Sequence, residues 1–381
     1  MPNLTDRARW ALDHAYTRAG AAVDQGVLHF MRRAMNVSAA RGAAAAGRAA
    51  TRLGPSGFSS PSAVAGDPRA RLLEIAAHYA AAEAELFAAP PEPEVSERPQ
   101  PARAGAVHVI DLAFPSRFRP TWPSYREEHA SYAANLTAHA RLYAGGAAPR
   151  PVVICLHGWG GGRVWLEERA FAVPYLLRIG LDVVLFQLPF HGQRTPAGAP
   201  RSGALFPGPN VVRTNEAFGQ AVSDLRALAG YLRRRGAPAV GAFGMSLGAY
   251  TAALWAGLDP DLAFAAAVIP AVSMSRLFWS HGAGSPARRR AERAGVTAEL
   301  LDEAFAVHTP LRRPVLLGRE RLLIAAARGD RITPPEQAES LWRHWGEPEL
   351  IWVAGGHLTQ VARGDSFRAV RRLVTSLGLA A

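Results

Sequence analysis

Hydrophobic positions along this chain change their period as the sequence proceeds. Near Trp10 to Met35, and again from Pro68 to Phe87, they recur at helical spacing, and the second stretch puts Leu72, Ile75, Tyr79, Ala82 and Leu86 on one stripe. An Ala/Gly/Arg-rich stretch, Ala39 to Gly57, separates the two, and Pro90 to Pro101 reads as an extended linker. From Val107 onward short apolar runs alternate with longer amphipathic segments, the pattern of helices covering a mainly parallel sheet. Strands are predicted near Val107–Ala113, Asn135–Tyr143, Val152–Leu156, Asp182–Gln187, Ala239–Phe243, Phe264–Ile269, Arg321–Ala327 and Leu350–Ala354. Helices are predicted near Trp165–Arg178, Asn215–Arg235, Leu247–Gly257, Pro335–Trp345 and Ser366–Leu377. The expected organisation is a helical N-terminal extension with a Pro-rich linker over residues 1–105, followed by an α/β domain over 106–381 with eight strands.

Composition narrows the function classes. With 49% hydrophobic and 19% charged residues, the 381-residue chain has ample material for a buried core. The formal net charge of +12 would suggest an acidic partner, yet all 43 basic residues are Arg, which together with heavy Ala use reads as codon bias. No nucleic-acid motif and no basic stripe interleaved with aromatics accompanies the charge, so no nucleic-acid partner is expected. Residues 1–52 carry eight Arg against three Asp, which allows a peripheral membrane contact with Phe30 and Met31 inserted; packing of the first helix against the main domain is the competing reading. A single cysteine, Cys155, excludes an internal disulfide and sits in an apolar run as a small buried thiol. No apolar segment follows a basic N-terminal stub, the Arg32-Arg33 pair precedes too weak a stretch for a twin-arginine signal, and no run reaches the ~20 apolar residues of a membrane span. A cytoplasmic protein is the expectation.

The sharpest chemical signal is Gly244-Met245-Ser246-Leu247-Gly248, preceded by a strand pattern and followed by a helical one. A G-x-S-x-G turn between strand and helix holds the serine in a strained backbone geometry and pushes its hydroxyl into the open. A serine hydroxyl needs a histidine base, itself oriented by a carboxylate. Strand Arg321–Ala327 runs into Gly329-Asp330-Arg331-Ile332-Thr333-Pro334, which puts Asp330 at the carboxyl edge; the competing reading is that Asp330 merely caps the helix opening at Pro335. Strand Leu350–Ala354 runs into Gly355-Gly356-His357, and its place after the final strand and before the last helix selects His357 from 12 histidines. His157, His191 and His281 rank behind it. The segment Leu156-His157-Gly158-Trp159-Gly160-Gly161-Gly162 follows another strand; as a phosphate loop it would need a G-x-x-x-x-G-K-[ST] pattern, and the chain has no lysine.

In motif identity, order and context, residues from about Val107 to the C-terminus resemble an α/β-hydrolase domain. The resemblance implies a triad of Ser246, Asp330 and His357, and an H-G-x oxyanion loop whose donors are the backbone N–H groups of Trp159 and Leu247. The Pro189-Phe190-His191-Gly192 turn is similar to the family's P-x-H-G corner, which shapes one wall of the entrance, and Arg213 to Phe218 is similar to a loosely characterised bacterial subgroup. In this family an insertion such as Ala271 to Leu317 forms a lid, so Trp159, Trp165, Phe190, His191, Phe206, Phe278 and Trp279 are candidates to line an apolar acyl pocket, with plain core packing the competing reading for each aromatic. The Arg288–Arg290 run would greet an anionic substrate or form a solvated helix face. A serine at the elbow, with an oxyanion hole, implies an acyl-enzyme and a small-molecule acyl substrate: an ester, a thioester or an amide, with no cofactor and no metal. Two other readings are a lipid deacylase or acyltransferase docked at a membrane surface by the N-terminal helix, and a catalytically silent scaffold, which would be expected to have lost part of the triad.

Overall fold

The computed structural model of the chain describes residues 11–29, 67–101, 107–146, 148–361 and 363–380. Phe30, Met31 and the Ala39–Gly57 stretch lie outside the described residues. In chain order come helix α1 over 11–29, α2 (Pro68–Leu86), strands β1 (Ser96–Pro99) and β2 (His108–Pro115), helix α3 (Arg126–Ser131), strands β3 (Thr137–Ala144) and β4 (Val152–Leu156), then helices α4 (Val164–Ala170) and α5 (Val173–Arg178). Strand β5 (Asp182–Phe186), helix α6 (Val211–Arg234), strand β6 (Val240–Met245), helix α7 (Leu247–Ala256) and strand β7 (Ala265–Val268) follow. Helices α8 (Met274–His281), α9 (Pro286–Arg293) and α10 (Ala298–Ala304) precede β8 (Leu322–Ala327), α11 (Pro335–His344), β9 (Glu349–Gly355), β10 (Gln360–Val361) and α12 (Gly364–Ser376).

All eight expected strands are present, and the sheet has ten because a short strand is added at each edge. The order is β1-β2-β3-β5-β4-β6-β7-β8-β9-β10. Strand β1 forms inside the Pro-rich segment expected to be linker, pairing antiparallel with β2 at the edge, where a proline without an N–H is tolerated. At the other edge β10 folds back antiparallel on β9 just after His357. From β5 to β9 every pair is parallel. The expected helix Trp165–Arg178 is two helices, because Ala172 adopts φ 46° and a proline opens α5.

Strand β4 explains why these runs read as continuously apolar. Val152, Ile154 and Leu156 join the hydrophobic cluster that contains α6 and α7, whereas Val153 and Cys155 join the cluster on the opposite face with α5 and α12. Both faces are covered, so no polar alternation is needed. Burial pushes the Cys155 thiol up, away from the reactive thiolate. Helix α2 also belongs to the first cluster through Ile75, Tyr79 and Leu86. The Tyr79 hydroxyl donates to the buried carboxylate of Glu216 on α6 at 2.9 Å, and that carboxylate also accepts from Trp122 N at 2.8 Å, Thr121 Oγ1 at 3.0 Å and Thr121 N at 3.2 Å. Among the described residues no helix is long and apolar enough to cross a membrane.

The topology itself marks one crevice. Strands β4 and β5 step one way along the sheet and β6 to β9 the other, so the order reverses between β4 and β6. Loops leaving the carboxyl ends of those two strands diverge and leave a gap between them.

Candidate active site

Ser246 closes β6 and opens α7 at that reversal point, with φ 55° and ψ −113°, a region that a non-glycine residue enters at a cost of order 1–3 kcal/mol. The neighbouring glycines make the turn possible. A Cβ on Gly244 would sit 2.1 Å from Gly248 O, and one on Gly248 would sit 1.8 Å from Leu156 O, both against backbone that has nowhere to go. Ser246 is half-buried, and its hydroxyl lies at the positive end of α7.

Loops from β8 and β9 arrive at the same edge. Ser246 Oγ is 3.0 Å from His357 Nε2, and His357 Nδ1 is 2.7 Å from Asp330 Oδ2. Both partners are buried, His357 at 7% and Asp330 at 2% exposure, so this run of hydrogen bonds is shielded from water except at the serine. Asp330 does not cap α11, whose first turn it precedes. Instead its Oδ1 accepts from Ile332 N at 2.9 Å and Thr333 N at 2.7 Å, a turn that fixes the carboxylate and leaves Oδ2 for the imidazole. Thr333 was not singled out in the sequence. Its hydroxyl lies 2.9 Å from Asp330 Oδ2, 3.0 Å from His357 Nδ1 and 3.1 Å from the Ile269 carbonyl oxygen, so it sits at the hinge of the Asp330–His357 contact.

The glycine-rich loop after β4 lies beside the serine, since a Cβ on Gly158 would be 3.5 Å from Ser246 Cβ. Three side chains hold this loop from behind. His157 donates from Nδ1 to Gly158 O at 2.8 Å and accepts at Nε2 from Leu188 N at 3.1 Å, a pattern that only the neutral ring satisfies. Burial keeps it neutral by pushing its pKa down to about 4. Glu167 on α4 accepts from Gly162 N at 2.9 Å, and burial raises its carboxyl above the usual range. Trp159 donates from Nε1 to Gly203 O at 2.6 Å and is overlain by the Arg201 guanidinium at 4.2 Å, which turns its indole away and leaves its backbone amide in the loop. Among the described residues neither the Trp159 nor the Leu247 amide donates to a protein acceptor.

Residues 151–294, which include this loop, the elbow and part of the following insertion, match the family model described as the alpha/beta hydrolase fold. An acetyl xylan esterase from a Paenibacillus species superposes with a TM-score of 0.56 at 18% identity, covering 79% of this chain and 94% of that one. Acetyl xylan esterase 1 of a Thermoanaerobacterium species does so at 0.55 and 16%, covering 81% and 94%. The chain has the α/β-hydrolase fold. An uncharacterized protein of Mycobacterium tuberculosis is 33% identical over 279 residues, 70% of this chain and 64% of its own length. The chain therefore spans less than two thirds of that curated relative.

Most of the other residues expected to line a pocket have defined packing partners. Phe190 and His191 are fully buried, Phe190 against Tyr132 and His191 between Phe206 and the His157 ring of the glycine-rich loop. Phe206 is equally buried against Phe218. In the insertion, Phe278 packs on Phe305, Trp279 lies under the Arg288 guanidinium at 3.2 Å, and His281 contacts the Ile332 carbonyl oxygen at 2.8 Å, beside the Asp330 turn. Trp165 is 57% exposed on α4. The P-x-H-G corner is anchored by a charge pair that the sequence did not announce: fully buried Arg194 donates to Asp224 on α6 at 2.8 Å, while Phe190 N donates to Asn135 Oδ1 at 2.9 Å. Among the described residues no group of three or more His, Cys, Asp or Glu side chains is gathered to hold a metal ion.

Proposed function

We propose that this chain is a serine hydrolase that cleaves a carboxylic ester, or a related acyl bond, through an acyl-enzyme on Ser246. The observation that carries the reading is the hydrogen-bonded run Ser246 Oγ–His357 Nε2–Asp330 Oδ2, at 3.0 Å and 2.7 Å, on a serine with positive φ at a helix N-terminus. His357 carries its proton on Nδ1, facing Asp330, and presents Nε2 as the base. As Ser246 Oγ attacks the carbonyl carbon, Nε2 takes the hydroxyl proton, and Asp330 stabilises the imidazolium that forms. The carbonyl oxygen gains negative charge and accepts from the Trp159 and Leu247 amides, each donor supplying about 3 kcal/mol of transition-state stabilisation. The imidazolium then gives its proton to the departing alcohol, and a water molecule, deprotonated by His357, hydrolyses the acyl-enzyme.

Small acyl esters are the substrates to test first, because the backbone of a tightly held loop lies beside Ser246 and the two structural neighbours are named as acetyl xylan esterases. Hydrolysis of p-nitrophenyl esters of graded chain length should be measurable with the wild-type chain. It should fall by about 10⁴-fold or more in kcat for Ser246→Ala and by a comparable factor for Asp330→Asn, which leaves the imidazole in the wrong tautomer. Equal turnover by wild type and Ser246→Ala would remove the reading.

A further inference from the structure

Helix α1 meets the rest of the molecule along one narrow stripe. Gly20, Asp24 and Leu28 are buried, Thr17, Ala21 and Val27 are half-buried, and the other described residues of the helix are exposed. That spacing is a single helical face. Its backbone lies directly on the two loops that carry Asp330 and His357: a Cβ on Gly20 would be 2.1 Å from Gly356 N, and one on Gly329 would be 2.4 Å from Thr17 O. Asp24 is the only charged residue of the stripe and is fully buried.

A buried carboxylate is costly unless its charge is answered. Among the described residues Asp24 forms no ion pair; backbone amides answer it instead. Its Oδ2 accepts from His357 N at 2.6 Å and Arg331 N at 3.1 Å, and its Oδ1 accepts from Leu358 N at 3.3 Å. One donor is thus the backbone of the histidine itself, one is its neighbour, and one is the residue after Asp330. The carboxylate ties the two loops together, so the pivot of the imidazole and the base of the Asp330 turn are fixed by one group.

We propose that Asp24 is a positioning residue for the Asp330–His357 pair, so that activity at Ser246 depends on helix α1 being docked through this carboxylate. The inference rests on the esterase reading above. Without the acceptor, the buried His357 amide and the part-buried Arg331 and Leu358 amides lose their partner, the loops relax toward water, and the imidazole leaves the 3.0 Å position in which it serves the serine. A displacement of about 1 Å at a reacting group lowers turnover by as much as 10²-fold.

The test compares Asp24→Asn, Asp24→Ala and Asp24→Glu with the wild-type full chain on p-nitrophenyl acetate, with circular dichroism to verify folding and hydrogen–deuterium exchange on the same samples. If wild type turns over, kcat should drop about 10- to 100-fold in Asn and Ala while KM stays within about twofold, with partial recovery in Glu. Peptides containing Arg331, His357 and Leu358 should exchange faster in Asn and Ala. Absence of wild-type turnover would overturn the esterase reading and the inference with it. Active wild type with kcat within twofold in both Asn and Ala would overturn the role of Asp24 alone. Should those variants fail to fold, the wild-type exchange decides: slow exchange at His357 and Leu358 supports the tie, and exchange as fast as an open loop overturns it.

Discussion

Acid should weaken the support of the glycine-rich loop at His157, and the size of the effect can be worked out in advance. The ring is neutral because burial pushes its pKa from the usual 6.5 down to about 4. Between those values the unfolded chain binds a proton that the folded one excludes, so stability falls as pH drops through that window and is fully present above about 6.5. The depression corresponds to roughly 3 kcal/mol at 1.36 kcal/mol per unit, lost with a slope of at most about 1.4 kcal/mol per pH unit. Burial also pushes His191 down, and His308 to about 3, so the wild-type profile alone would mix several groups. Urea denaturation of wild type and His157→Gln at steps from pH 7.5 to 4 isolates this one. The variant keeps an acceptor near Leu188 N but has no group to protonate. It should be less stable than wild type at pH 7.5 by about 1–3 kcal/mol for the altered bonds and packing. Wild type should then lose about 3 kcal/mol relative to the variant by pH 4. A stability difference that stays constant within about 0.5 kcal/mol over the whole range would refute the neutral-latch argument.

Two further outcomes follow from contacts on the face of the sheet that α6 and α7 cover. Gly248→Ala should cost at least about 2 kcal/mol by thermal or chemical denaturation, and abolish ester turnover in whatever folds, because the new methyl meets the Leu156 carbonyl at 1.8 Å and pushes α7 away from β4. Glu216→Ala should lower stability by about 3 kcal/mol, since it strands the buried amides of Thr121 and Trp122 and the hydroxyl of Tyr79, and should raise protease sensitivity in α2. A variant as stable as wild type would mean that α2 is not held through this carboxylate.

What could be read from the sequence was whatever its own period or local spacing encodes. The central strands β4 to β8 were legible because they are buried on both faces and therefore read as apolar runs, β2 and β3 because apolar positions alternate along them, and Ser246 because its turn demands glycine at 244 and 248. The edge strand β1 was missed because a Pro-containing, fully exposed strand has no hydrophobic signature at all. Thr333 carried a faint signal, an Asp followed three residues later by a Thr, the spacing of a side-chain turn. Asp24 carried none. Its partners are backbone amides 307, 333 and 334 residues away, and a backbone amide leaves no residue type to recognise. The pocket aromatics were ambiguous for a related reason: side chains such as Phe190 and Phe206 serve the core as readily as a ligand wall, and only packing distinguishes the two.

Covalent labelling tests the central claim most directly. A fluorophosphonate probe incubated with the folded wild-type chain, followed by mass spectrometry of the digested adduct, should find one modification per molecule, on Ser246, absent from Ser246→Ala and from chain unfolded before exposure. A folded wild-type chain that stays unmodified, or an adduct that survives Ser246→Ala unchanged, would contradict the account.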